Sequence, residues 1–194
     1  MKRFSLVFAA LAMLFVGCSN DKTPVVKIGV YEPASGDNGA GGKQETLGVQ
    51  YANTVTPTVM IGDTEYKVQL EIVDNESSND KAVTAASELV SKGVSVVVGS
   101  YGSGVSIAAS DTFANADIPA IGITCTNPQV TLGNDHYFRI CFLDPFQGTV
   151  LANFAQENFA AKKAYCLANP GLGTTQISNP LGRVSRWTDS PMRL

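Results

Sequence analysis

Residues 94–104, Val-Ser-Val-Val-Val-Gly-Ser-Tyr-Gly-Ser-Gly, limit the choice of fold more than any other stretch. A β-branched run bounded by turn residues reads as a strand buried in a parallel sheet. Three glycines in the last six residues let the backbone approach another group closely. A helix is predicted to open at about 103–106. Its first N–H groups have no partner within the helix and favour an anion. Residues 121–126, Ile-Gly-Ile-Thr-Cys-Thr, repeat the plan: a buried strand that ends in small hydroxyl residues. Two adjacent strand ends with hydroxyls and free amides predict a pocket for a small zwitterion. Its candidate residues are Tyr101, Gly102, Ser103, Gly104, Thr124 and Thr126.

The rest of the chain repeats this strand-and-helix unit. A first strand is expected over 25–30, then a flexible glycine-rich loop over 34–42. The next helix carries Leu47, Tyr51, Ala52 and Val55 on one face. Residues 66–73 alternate Val68, Leu70 and Ile72 with Lys67, Gln69 and Glu71, a half-buried strand at period two. Ser78 or Asn79 is expected to cap a helix whose inner face is Ala82, Val83, Ala86, Leu89 and Val90, and Gly93 to end it in the left-handed conformation. The helix after 94–98 has Val105, Ala108, Ala109 and Phe113 inward. Strands follow over 118–123 and 137–142. Asp144 opens a helix bearing Val150, Leu151, Phe154, Ala155 and Phe159, and a last strand is expected over 163–168. Regular alternation with short connections predicts an α/β fold, a doubly wound parallel sheet with helices on both faces. Ligands of such sheets bind beyond the carboxyl ends of the strands.

The N-terminus reads as a leader. Lys2 and Arg3 precede an apolar run, 4–16, followed by Gly17-Cys18. A charged start, an apolar run of this length and a small residue before the cut describe a secretory signal over 1–17. Phe15-Val-Gly-Cys18 resembles a bacterial lipobox, with Phe15 where leucine is usual. Cys18 is then the acylated residue, anchoring the protein to a membrane face by a polar tether over 18–24. A plain signal peptide is the alternative. The remaining cysteines, Cys125, Cys141 and Cys166, lie in apolar strand-like segments and read as buried free thiols, with one disulfide as the alternative.

Several chemistries are excluded. The net charge is −3 and no basic patch lies inside the folded region, so nucleic acid is not a partner. Gly42-Lys43 is not a phosphate loop, because Asp37 stands where glycine is needed and Gln44 where Ser or Thr is. The glycines of 99–104 have the wrong offsets for a dinucleotide turn. Ser103 lies at a strand-to-helix turn, but a nucleophile elbow needs glycine at Tyr101, and His136 is the only histidine. A zinc site is not expected, nor is any other metal or cofactor, and the chain does not read as an enzyme. From 171 onward the text loses all period and holds three of the five arginines and the only tryptophan. This stretch, 171–194, reads as a shifted reading frame ending early, or as a disordered tail.

Residues 25–170 resemble the first part of a branched-chain amino-acid (Leu/Ile/Val-type) periplasmic binding protein, the receptor component of an ABC importer. The matching text is Val26-Lys-Ile-Gly-Val30, Gly42 with Gly48, Asp74-Asn75, Val97-Val-Gly99, Ala109-Ser-Asp111, Thr126-Asn-Pro128, Phe138-Arg139 and Asp144 with Gln147-Gly148. The resemblance implies a type I two-lobed fold, with 25–143 as an incomplete first lobe and 144–170 as the start of the second. It implies that Ser103 and nearby amides hold the ligand carboxylate, while Thr126 and the Thr124 carbonyl hold the α-amino group. Gly41 stands where the family often has a tyrosine. The implied partners are an amino acid or similar amide, an importer permease and the membrane. The implied place is the bacterial cell envelope, outside the cytoplasm. As a fragment the chain is expected to offer half a pocket. A ligand-sensing domain of the same fold is the alternative.

Overall fold

A computed structural model describes residues 23–161. The leader over 1–17, Cys18, most of the tether, the strand expected over 163–168, Cys166 and the 171–194 stretch lie outside the described residues.

The order of elements is β1 (Val25–Glu32), α1 (Gly39–Val55), β2 (Thr58–Ile61), β3 (Thr64–Asp74), α2 (Asn79–Ser91), β4 (Val96–Gly99), α3 (Ser103–Asn115), β5 (Ala120–Gly122), a 3₁₀ turn (Pro128–Val130), β6 (Tyr137–Arg139) and α4 (Asp144–Phe159). They form one six-stranded sheet of order β2-β3-β1-β4-β5-β6. Every pairing is parallel except that of β2 with β3. The sequence reading missed β2. It forms a hairpin with β3 across Gly62-Asp63, where Gly62 has φ +59.

The connection from β1 to β3 runs one way along the sheet, and those from β3 to β4 and from β4 to β5 run the other. Right-handed crossovers therefore put α1 on one face and α2 with α3 on the other. The α2–α3 face holds the core. A side chain at Gly29 would meet Leu89 and Val97 at 3.1–3.3 Å, so the two elements touch backbone to side chain. The next inward residue, Tyr31, is fully buried and donates to the Ala82 carbonyl at 3.2 Å. Its ring meets Phe113 edge-on, with centroids 5.5 Å apart. Ala85, Ala86, Leu89, Val105 and Ala109 complete this layer. Gly93, at φ +70, ends α2 as expected.

Several expectations need correction. Residues 39–42 are the first turn of α1, not loop, because Gly42 lies flush against Pro33 and any side chain there would collide with the Pro33 carbonyl and ring. On α2, Val83 is half-exposed and Ala85 is buried, a shift of the inner face. Ser78 stands at the N-cap of α2 but makes no side-chain cap bond. The strands expected over 118–123 and 137–142 shorten to three residues each, and beyond β5 the chain is held by a side chain instead of a ladder. There Arg139 donates to the carbonyls of Cys125 and Asn127, both at 2.9 Å, and to the Thr131 hydroxyl at 2.8 Å. Cys125 is buried, Cys141 is half-buried, and both are free.

Candidate functional site

All the parallel strands end on the same edge of the sheet, and the order of connections reverses between β1 and β4. In open α/β sheets the crevice outside such a reversal is where ligands sit. A cleft of ≈ 420 Å³ lies there. It is lined by every pocket residue expected from the sequence: Tyr101, Gly102, Ser103, Gly104, Thr124 and Thr126. Beside them are six residues the sequence reading did not place in the pocket: Asp37, Asn38, Ser77, Asn79, Asp80 and Asp144. All six lie in the turns that lead into α1, α2 and α4 or in their opening residues. Read one helix at a time, they look like ordinary first-turn residues, and only the fold brings them together.

Four helices, α1 to α4, open onto the cleft, and none has a side-chain cap. Backbone carbonyls take part of the load at three of them, Gly39 N donating to Gly36, Lys81 N to Ser78 and Asp144 N to Thr126, while the opening of α3 keeps its first N–H groups for solvent or a ligand. The four ends differ in charge. Asp80 lies in the first turn of α2 and Asp144 in that of α4, while Asp37 precedes α1. The opening of α3, Gly102-Ser103-Gly104, carries no acid. The cleft thus brings the uncompensated amides of α3 together with carboxylates at the neighbouring helix ends.

The hydroxyls are held in place. Ser103 Oγ accepts from the Asn127 amide at 3.3 Å, tying the β4 turn to the β5 loop. Thr124 Oγ1 donates to Glu45 Oε1 at 2.6 Å. The Thr126 carbonyl accepts the Asp144 amide at 3.1 Å, which fixes the start of α4. Below Tyr101, Asn75 is fully buried and donates to the Ser100 hydroxyl at 2.9 Å. Asp74 accepts from the Ser35 hydroxyl and the Ala34 and Glu76 amides. Partial burial alone would raise its pKa, but these donors outweigh it and hold the carboxyl below its usual range.

The Gly41 position has a structural counterpart. A Cβ there would overlap the ring of Tyr101, which fills the space that a side chain on α1 would need. Tyr101 itself is half-exposed toward the cleft.

The described residues hold no cluster of three or more His, Cys, Asp or Glu side chains able to hold a metal. His136 is at the far end of β6, bonded to Asp117 at 2.9 Å, and takes no part in the cleft.

Known proteins give the same outline. A family model described as periplasmic binding protein matches residues 25–184, running into the stretch where the text loses its period. The chain is 29% identical to Leu/Ile/Val-binding protein homolog 3 of Brucella melitensis, across 86% of this chain and 44% of that protein. It is 31% identical to Leu/Ile/Val-binding protein BraC3 of Rhizobium johnstonii, across 75% of this chain and 40% of that one. Among solved structures, a leucine-binding protein LivK of Thermotoga maritima superposes with TM-score 0.66 at 34% identity, over 71% of this chain and 39% of that one. The branched-chain amino-acid transporter substrate-binding protein LivJ of Streptococcus pneumoniae, solved with isoleucine, gives 0.64 at 30%, over 71% and 40%. These relatives are binding proteins rather than enzymes. The chain spans less than half the length of each.

Proposed function

The chain belongs to the periplasmic binding protein family, and we propose that its cleft is one wall of a binding site for an amino acid, of branched-chain type or a similar amide. The observation that carries this reading is the unequal charge of the helix ends that line the cleft. The acid-free N-terminus of α3 offers amides and the Ser103 hydroxyl to a carboxylate. The Thr126 hydroxyl and the Thr124 carbonyl hold the ammonium, with Asp80 and Asp144 supplying negative charge nearby. The side chain of the ligand lies against Tyr101. No bond is made or broken, so the role is capture and delivery, with an ABC importer permease as receiver.

In the same reading, 1–17 is a lipoprotein signal and Cys18 carries the lipid that anchors the protein outside the cytoplasm. Residues 18–24 form the tether, 25–143 form lobe one, and 144–170 begin lobe two. Closure of two lobes over the ligand supplies the second wall.

The test is a titration of the 194-residue chain with L-leucine, followed by amide NMR. The expected result is weak, saturable shifts at Ser103, Gly104, Thr124 and Thr126. The same shifts should be absent with isopentylamine, which lacks the carboxylate, and in Ser103→Ala. Shifts of equal size with the amine would show that the α3 end does not read a carboxylate, and the proposal would fail.

A further inference from the structure

Beneath the cleft lies a pair of acids that the binding reading leaves unused. Glu32 ends β1 and is 1% exposed. Its Oε2 accepts the Tyr101 amide at 2.7 Å. Its Oε1 is buried with no hydrogen-bond donor in reach. Glu45, on the inner side of α1, accepts the Thr124 hydroxyl at Oε1 and leaves its own Oε2 buried in the same condition. The Thr124 hydroxyl also lies 3.4 Å from the Tyr101 carbonyl, so the bonds of the two acids converge on one junction. Two oxygens that both only accept cannot bond across a dry contact. One proton between them satisfies both.

We propose that Glu32 is held as a protonated carboxylic acid that donates to Glu45, and that this acid–carboxylate bond positions Tyr101 and Thr124 at the floor of the cleft. Four elements meet in it: the end of β1, α1, the turn after β4 and the loop after β5. The two outer contacts of the pair are a pocket amide and a pocket hydroxyl, so losing the central bond loosens both. Gly99 is part of the arrangement. It adopts φ +115, and a Cβ there would lie 2.6 Å from Glu32 Oε1.

Burial is the largest influence on Glu32. It pushes the carboxyl up to about 9, aided by the hydrogen bond and charge of Glu45 and opposed by the Tyr101 amide. The other titratable groups facing it are Tyr31 on its own strand and Tyr137 from β6, and burial pushes both phenols far upward. Asp74 lies in register on β3, already satisfied by the donors around Ser35. None of these changes charge between pH 5 and about 9, a window in which Glu32 is the raised carboxyl, and the buried Cys125 thiol, pushed up to about 11, adds to the difference only near its upper end. A folded-state pKa raised above the unfolded one gives stability that is complete below the unfolded value and lost as pH rises toward the folded value.

The positioning role rests on the proposed binding site, so the test uses no ligand. Urea unfolding of the full chain is measured from pH 6 to 9. For wild type, the folding equilibrium constant is expected to fall by roughly tenfold per pH unit across that window from this group. In Glu32→Gln the amide donates to Glu45 permanently and the carbonyl still accepts from Tyr101, so this slope should vanish. Glu32→Ala should be less stable than Glu32→Gln at every pH. In parallel, the Tyr101 and Thr124 amide resonances of the free chain should titrate near pH 9 in wild type and stay fixed in Glu32→Gln. An unchanged slope in Glu32→Gln overturns the protonated acid. Resonances at Tyr101 and Thr124 that ignore the titration overturn the positioning role. Failure of the leucine titration at pH 7 would sink the binding reading and leave both of these results standing.

Discussion

On the face of the sheet covered by α2 and α3, Leu89 and Phe113 are fully buried; on the other, the α1 residues Leu47, Tyr51 and Val55 are 63–71% exposed. Both helical faces have the apolar spacing of a core. On α1 the fully buried positions are Gly39 and Gly42, and on α4 there are none. The sheet shows part of the same asymmetry. Tyr31, Val73 and Val97 are buried toward α2 and α3, while on the other face Val30 is buried but Ile72, in register with it, is 41% exposed. Apolar periodicity thus says which side of an element can be buried, and the neighbours decide whether it is. The cleft is built at the junction of these two differently packed halves.

Substitutions can break this comparison. The largest effect is expected at Phe113→Ala, which removes the ring against Tyr31 and should cost about 3–5 kcal/mol by urea unfolding. Leu89→Ala should follow at about 2–5 kcal/mol. Next is a matched pair within α1. Gly42→Ala forces a methyl into the Pro33 backbone and should cost about 1–3 kcal/mol. Gly48→Ala has open space around it and should stabilise by about 0.5–1 kcal/mol through helix propensity. The smallest change is expected at Leu47→Ala, within about 0.5 kcal/mol. A Leu47→Ala cost matching that of Leu89→Ala would mean that the α1 face is covered in solution, and the contrast between the faces would disappear.

Much of this was legible along the chain. The strand at 94–98, Gly93 as a stop and the Val105–Ala109–Phe113 face all followed from local pattern, because each is fixed by neighbours in sequence. The pocket hydroxyls followed from the rule about strand ends. Failures came where packing rather than local pattern decides. Residues 39–42 looked like loop, whereas Gly42 packs against Pro33 where a side chain would collide. The β2 strand was hidden because its partner gives it no buried face: Val59, Met60 and Ile61 are all exposed. Gly62-Asp63 after an apolar run was the available hairpin signal. Asp80, Glu32 and Glu45 carry no local pattern that marks them, and only the fold brings them to the cleft and the space beneath it.

The crowding between Gly41 and Tyr101 makes these two positions epistatic. One volume is shared by two walls, and either can fill it but not both. A side chain at 41 is tolerated only if the ring at 101 moves or shrinks, so the order in which substitutions arise matters. Gly41→Tyr should be harmful alone and far less so beside Tyr101→Ala, a non-additivity that a double-mutant cycle measures directly. Over many generations, such an aromatic can migrate from one wall of a pocket to the other through a small-residue intermediate, leaving the pocket's lining alike and its sequence signature different.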